Sequence, residues 1–172
     1  MTSPANDEEH RDDGPPGSGG TAHLSTGALF LFRLREVWLA VEADAVEAVI
    51  SSEAPTPIPI APDHIEGVRL HGDNVVAVVD LARFLRLPET GPSSDDAGFS
   101  RTLIVSAGGL RAGLVCDRAA GVFQIDAAAL EAPRVLTGER LLQFLSAEVD
   151  TPRGRAGVLD GAALLEAARV RE

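Results

Sequence analysis

Gly67-Val68-Arg69-Leu70-His71-Gly72-Asp73-Asn74-Val75-Val76-Ala77-Val78-Val79-Asp80-Leu81 holds a strand, a turn, a second strand and a helix cap in fifteen residues. Short β-branched, apolar runs such as Val75 to Val79 suit a pleated, half-buried surface. His71-Gly72-Asp73-Asn74 is a strong turn signal, because Gly, Asp and Asn tolerate positive φ. Asp80 is placed to cap a short helix over Leu81 to Leu85. Upstream, Ala28 to Leu34 and Val37 to Val41 flank the polar pair Arg35-Glu36 and predict a hairpin. Glu42 to Ala45 reads as a connector of about one helical turn, and Val46 to Ile50 as a third strand. Pro55-Thr56-Pro57-Ile58-Pro59-Ile60-Ala61-Pro62 has four prolines in eight residues. That density excludes a helix and a central strand and leaves an extended crossing segment. Pro62 predicts a one-turn helix reaching Ile65.

Downstream, Pro88 to Phe99 is a polar linker, the best internal boundary. The strand–turn–strand rhythm then resumes with Thr102 to Val105, a turn at Gly108-Gly109, and Arg111 to Cys116. Gly121 to Ile125 is a further strand, and Asp126 caps a brief helix containing Ala127 to Leu130. Leu141 to Leu145 and Ala156 to Leu159 are expected to pair across Asp150 to Gly154, and Asp160 to cap a final helix, Ala162 to Val170. Many short strands at near-regular spacing predict small barrels, and no helix is long enough for a parallel βαβ crossover. The halves echo each other: a hairpin, a short strand, then an apolar hairpin ending in a helix-capping Asp. The fold class is therefore all-β. Lobe one spans about 35–90 and lobe two about 100–155, with terminal segments open to exchange between them. Residues 1–26 form an acidic, Gly/Pro-rich arm expected to be disordered, and 27–172 the folded domain.

Fifteen Lys+Arg against 26 Asp+Glu give a net charge of −11. The cations are scattered singly, so the clustered positive charge that binds polyanions is missing, and nucleic acid is excluded as a partner. No 18-residue apolar run predicts a membrane span. The acidic, polar start is unlike a secretory signal, which predicts a cytoplasmic location. Cys116, the single cysteine, lies in the apolar run Gly113 to Asp117 and reads as a core residue. His10 and His23 fall in the arm. His64 and His71 stand alone, without the spacing of metal ligands. Ser51-Ser52 and Ser93-Ser94 lack a nucleophile context. Asp80, Asp117 and Asp160 follow buried strands, where capping suits them better than acid–base work. Gly108-Gly109 is a hairpin turn with no helix after it to cradle phosphate. These residues point to no enzyme, cofactor or metal.

Several stretches resemble the CheW-like chemotaxis adaptor family. Val46-Glu47-Ala48-Val49-Ile50 is similar to its V-x-E-V-I. Thr56 to Val68 is similar to T-P-x-P-x-A-P-x-x-x-x-G-V, Val78-Val79-Asp80-Leu81 to V-I-D-L, and Gly113 to Val122 to G-L-x-V-D-x-V-x-x-V. Ala132-Pro133 and the closing hairpin with Leu164-Leu165 complete the set, over about Ala28 to Ala168. The resemblance implies two SH3-like five-stranded barrels related by a pseudo-twofold, and no catalysis. It implies a scaffold bridging methyl-accepting chemoreceptor tips to the regulatory domain of the histidine kinase CheA, or to other CheW-like proteins, recruited from the cytoplasm to receptor arrays. By matching position, Val46, Ala119 and Val122 would line the receptor groove between the lobes, and the kinase would contact one end of the first lobe. Packing of Val46 and Val122 between the lobes is the other reading of those valines.

The chain also departs from that family. Its N-L-R-G-x-x-x-P-V-I-D-L places an Arg that falls here on Gly72, or on His71 if the glycines are matched. Arg69 could substitute only if the strand register slipped. The acid of V-x-E-V-I is Ala48, with Glu47 on the opposite face, and the proline before V-I-D-L is Ala77. Losing one buried charge-assisted contact at an interface costs about 2–5 kcal/mol. The expectation is an adaptor that docks receptors with weakened or altered kinase coupling. The alternatives are an ordinary CheW-type coupler activating its own CheA and, from another class, a small β-barrel ligand-binding module.

Overall fold

The computed structural model describes residues 27–90, 98–134 and 138–169. The acidic arm and the centre of the polar linker lie outside them. The strands are β1 (Ala28–Leu34), β2 (Val37–Glu42), β3 (Val46–Ser51), β4 (Ile65–His71), β5 (Asn74–Asp80), β6 (Arg101–Ala107), β7 (Leu110–Cys116), β8 (Arg118–Gln124), β9 (Leu145–Thr151) and β10 (Gly154–Leu159). Short helices α1 (Leu81–Phe84), α2 (Glu139–Leu142) and α3 (Gly161–Ala168) follow β5, precede β9 and follow β10. The strands form two five-stranded sheets, sheet I in the order β8-β1-β2-β10-β9 and sheet II in the order β3-β6-β7-β5-β4. The architecture is mostly β, as the spacing of short runs predicts.

Local chemistry accounts for the punctuation. The hairpin of β4 and β5 turns at Gly72, which takes φ +59. The Asp80 side chain accepts the Arg83 N–H at 3.0 Å and the Asp160 side chain accepts the Ala163 N–H at 3.0 Å, so both caps form as read. The proline-rich segment is extended, and Thr56 pairs with Val68 of β4 through both backbone groups, at 2.9 and 2.8 Å.

Three expectations are corrected. Pro62 opens a turn closed by the Ile65 N–H on its carbonyl at 2.8 Å, and β4 starts at Ile65, so no helical turn forms. Leu141 and Leu142 belong to α2, and the strand that pairs with β10 is Leu145–Thr151. An apolar run of five residues does not distinguish helix from strand, and burial of Leu141 and Phe144 at a spacing of three fits the helical turn. Third, the boundary expected in the linker does not separate the sheets. β6 and β7 join sheet II through the parallel pair β5–β7, and the amino-terminal hairpin β1–β2 joins sheet I through the parallel pair β2–β10. Each half of the chain thus lends its first hairpin to the other half's sheet. A strand can pair in parallel only after a crossover, and between the parallel pair β5 and β7 the chain passes through α1 and β6.

The larger core is shared. Phe30, Phe32, Leu39 and Val41 of sheet I pack with Leu103, Val105, Leu114 and Cys116 of sheet II, and Leu81, Phe84, Leu164 and Leu165 close it. A smaller cluster, Leu29, Leu31, Ala40, Ala147, Val149, Ala156 and Val158, belongs to sheet I alone. β1 lies between the two clusters, so both its faces are buried and its sequence runs Leu-Phe-Leu-Phe without alternating. α3 leaves sheet I and packs on β6 and β7 of sheet II. His64 holds its last turn, with Nε2 3.1 Å from the Ala168 carbonyl and the ring against Phe84 at 5.1 Å.

Candidate functional site

Each sheet has one edge strand that meets the other sheet's side of the molecule through a short connector. β3 is the edge of sheet II and leaves a 3-10 turn, Ala43–Ala45, directly after β2. β8 is the edge of sheet I and follows β7 after Asp117 alone. Asp117 fixes that crossover: its N–H donates to the Arg33 carbonyl at 3.0 Å, and its carboxylate accepts the Arg35 N–H in the turn between β1 and β2.

On β8 the pairing with β1 shifts between Leu31 and Phe32, so that Ala119 lies opposite Phe32, Gly121 opposite Leu31 and Val122 opposite Phe30. Residues three apart in a regular strand face opposite ways. The extra residue, Ala120, makes a bulge that brings Ala119 and Val122 onto one face. That face is the one through which Phe30 and Phe32 join the shared core, whereas Ala120 and Phe123 pack on the smaller cluster. Ala119 is half-buried against the shared core, and Val122 is 58% exposed. Val46, at the start of β3, is also half-buried against the shared core. Val46 and Ala119 thus both border the shared core, and Val122 stands exposed on the face of β8 that carries Ala119. Val49, further along β3, is exposed as well.

Ala48, His71 and Gly72, the positions where the resembled motifs carry other residues, lie in sheet II and its β4–β5 turn. Ala48 is half-buried in β3, opposite Ile104. Glu47 is held by Arg111 of β7, whose Nε and Nη2 donate to one carboxylate oxygen at 3.0 and 2.9 Å. Arg69 is directed to the end of β3, where it donates to the Ser51 carbonyl at 2.7 Å and to Glu53 at 3.3 Å. The register of β4 on β5 has no slip beyond Gly67, so Arg69 is not delivered to the tip. His71 is half-buried opposite Asn74, and Gly72 is exposed. Beside them Leu70 and Val75 face each other across the hairpin, 71% and 69% exposed. In the sequence those two read only as strand residues. The signal that could have marked them is two large apolar residues adjoining both sides of a polar turn, where the core no longer reaches.

Cys116 is buried in the shared core, and its surroundings push the thiol up to about 12, chiefly through desolvation and then through the neighbouring Asp117 charge. Among the described residues no group of three His, Cys, Asp or Glu side chains is placed to hold a metal ion. No described helix is long and apolar enough to cross a membrane.

The family model of the CheW-like domain matches residues 28–169. Protein FrzA of Myxococcus xanthus is 31% identical over 146 residues, covering 83% of this chain and 87% of that protein. The chemotaxis protein CheW of Treponema pallidum is 24% identical over 111 residues, 64% of this chain and 65% of that protein. Among solved structures, the scaffolding protein TtCheW of Thermoanaerobacter tengcongensis superposes with a TM-score of 0.67 at 24% identity, over 78% of this chain and 89% of that one. That likeness makes the two sheets the two SH3-like lobes of the CheW fold. With a family model spanning nearly all the described residues and a relative above 30% identity over most of its length, this chain belongs to the CheW-like domain family, the non-catalytic adaptors of chemosensory signalling.

Proposed function

We propose that the protein is a receptor-docking scaffold in a chemosensory pathway, with weakened or altered coupling to a CheA-type kinase. The observation that carries the receptor half is Val122, an exposed valine on an edge strand, on the same face of β8 as Ala119, which like Val46 packs against the shared core. An apolar residue left in that position is stabilised when a partner covers it, and a receptor tip is the partner the family resemblance implies. The two lobes are taken to be related by a pseudo-twofold, with the groove at their junction, and the scaffold to be recruited to arrays from the cytoplasm.

The kinase half rests on charge. The family's acid is absent at Ala48, and the neighbouring Glu47 is bound to Arg111. The family's arginine is absent at His71 and Gly72, and Arg69 is engaged at Ser51 and Glu53. A lobe lacking the acid on β3 and, at the β4–β5 tip, the arginine binds a standard kinase domain less well and limits, caps or tunes an array instead of activating it. The likeness to FrzA fits a divergent chemosensory pathway. The second reading, an ordinary coupler matched to its own kinase or to another CheW-like protein, is favoured by Leu70 and Val75, an apolar pair at the same tip.

Co-purification of the full chain with receptor and kinase fragments tests both halves. Val122→Glu is expected to lower receptor association at least roughly tenfold while leaving the fold intact, since the site is exposed. Kinase binding at the strength of a standard CheW overturns the weakened half, and stimulation of the kinase in a reconstituted receptor–kinase mixture establishes the second reading. Unchanged receptor association in Val122→Glu overturns the groove.

A further inference from the structure

Glu148, in the edge strand β9, is 0% exposed, yet it is a carboxylate. Its two oxygens are held by different elements. Oε2 accepts from Arg155 Nε of β10 at 2.7 Å, and Oε1 accepts the backbone N–H of Arg134 at 2.8 Å. The same Arg155 donates through Nη2 to Glu131 at 2.6 Å and through Nη1 to Asp150 at 3.2 Å. Arg134 returns to Glu131 through its own guanidinium at 3.1 Å. The backbones of Glu131 and Glu148 exchange both hydrogen bonds, at 2.8 and 2.9 Å. The segment leaving β8 thus crosses the outer edge of β9 and is pinned there by one arginine and one buried carboxylate. Along its way Ile125 and Leu130 pack on the smaller core of sheet I, and the Ile125 N–H is bonded to the Gly27 carbonyl at 2.8 Å.

Sheet II carries a counterpart. Thr56 pairs with Val68 on the outer edge of β4 in the same two-bond manner. That segment has four prolines between Pro55 and Pro62, which hold it extended and lower the entropy lost on ordering it. The segment over 125–134 has one, Pro133, and three consecutive alanines. Beyond one capped 3-10 turn, Ala127–Ala129, it has little built-in stiffness, and the charged clasp takes its place.

We propose that Arg155 is a positioning residue: it fastens the segment 125–134 as a strap over the edge of β9 and the smaller core, and the fastened strap fixes the far end of β8, the strand that carries Val122. Without the guanidinium, the buried carboxylate of Glu148 is left without its main compensating charge and must either take up a proton or reach water. It reaches water when the strap lifts. Lifting bares the N–H and C=O of Glu148 on a sheet edge and withdraws Ile125 and Leu130 from the smaller core. The strap is fastened in the free protein, whatever docks in the groove.

Residue-resolved hydrogen exchange on the full chain tests it. In Arg155→Met the amides of Glu131, Arg134, Glu148 and Ile125 are expected to exchange roughly tenfold faster or more, because they open with the strap. The amides of Thr56 and Val68, in the proline-stiffened counterpart, are expected to keep their rates. Glu131→Gln, which leaves the buried carboxylate paired, is expected to give the same pattern at roughly threefold, and it carries the test if Arg155→Met does not fold. Unchanged rates at Glu131, Arg134 and Glu148, or equal acceleration at Thr56 and Val68, overturn the strap. Acceleration at Glu131 and Glu148 with Ile125 unchanged overturns the link to β8.

Discussion

Ile60 holds a β-branched side chain at φ +61 with 103% relative exposure, so the strain is not offset by packing within the chain. The left-handed conformation costs an L-residue about 1–2 kcal/mol, and glycine takes it freely at a somewhat larger loss of unfolded-state entropy. Ile60→Gly is therefore expected to raise stability by about 0.5–1 kcal/mol in urea unfolding; a loss of stability would show the loop to be unstrained. Cys116 makes a second prediction at this scale. Its thiol is pushed from an ordinary 9.0 up to about 12 in the folded chain. A raised pKa means that the folded state keeps its proton while the unfolded state gives it up. The associated stability is present below pH 9 and lost as pH rises through about 12. The chain has no Tyr and no Lys to titrate in that window. The alkaline fall in stability should therefore be shallower in Cys116→Ala than in the parent, and equal slopes would show that the thiol is not the titrating group. That Ala48, His71 and Gly72 stand where the resembled motifs carry other residues was legible in the sequence. That Glu47 and Arg69 are already engaged was not, because Arg111 and Ser51 meet them only after the sheet has formed.

The elements were legible wherever the signal was local. Turn chemistry at His71 to Asn74, the caps at Asp80, Asp126 and Asp160, and the extended proline segment all depend on near neighbours, and all appear. β9 was misplaced because its middle residue is a carboxylate. Leu145-Ser146-Ala147-Glu148-Val149 reads as half polar, and Arg155 across the hairpin, together with the Arg134 N–H, makes burial of Glu148 tolerable. The bulge at Ala120 was hidden for a related reason: Arg118 to Gln124 contains nothing that marks where β1 will shift register, apart from Gly121 at φ +101. Gly67 shows how a motif letter becomes an element-scale requirement. A Cβ there would sit 2.2 Å from the carbonyl oxygen of Thr56, at φ +152, so the crossing segment can lie on β4 only if this residue has no side chain. Gly67→Ala is expected to part Thr56 from Val68 and to destabilise by roughly 2–4 kcal/mol, within the range for forced backbone displacement. The check is a lower urea midpoint together with faster exchange at the Thr56 and Val68 amides; a midpoint equal to the parent's would mean that the segment is not held there.

At the scale of the molecule, the internal repeat was visible in the order hairpin, strand, hairpin, capped helix, but the partner of each hairpin was not. A hairpin's pattern says which face is apolar and leaves open which sheet will take it. Here β1–β2 completes sheet I beside β10, β6–β7 completes sheet II beside β5, and the face of β1 that carries Phe30 and Phe32 fills a core common to both sheets. The strands of sheet II are continuous in sequence from Val46 to Cys116, yet their apolar face is closed by Phe30, Phe32, Leu39 and Val41 from before that stretch and by Leu159, Leu164 and Leu165 from after it. Neither sheet can shed its partner without exposing that core, and burying so much apolar area in common makes unfolding all-or-none. The chain supplies one reporter for each sheet: Trp38, its single tryptophan, on β2 of sheet I, and Cys116, its single cysteine, on β7 of sheet II. Trp38 fluorescence and Cys116 thiol labelling, followed through the same urea series, are expected to trace superimposable transitions with one midpoint. Two separated midpoints would show that the sheets come apart before they unfold, and that the lobes are joined by a surface contact and not by a common core.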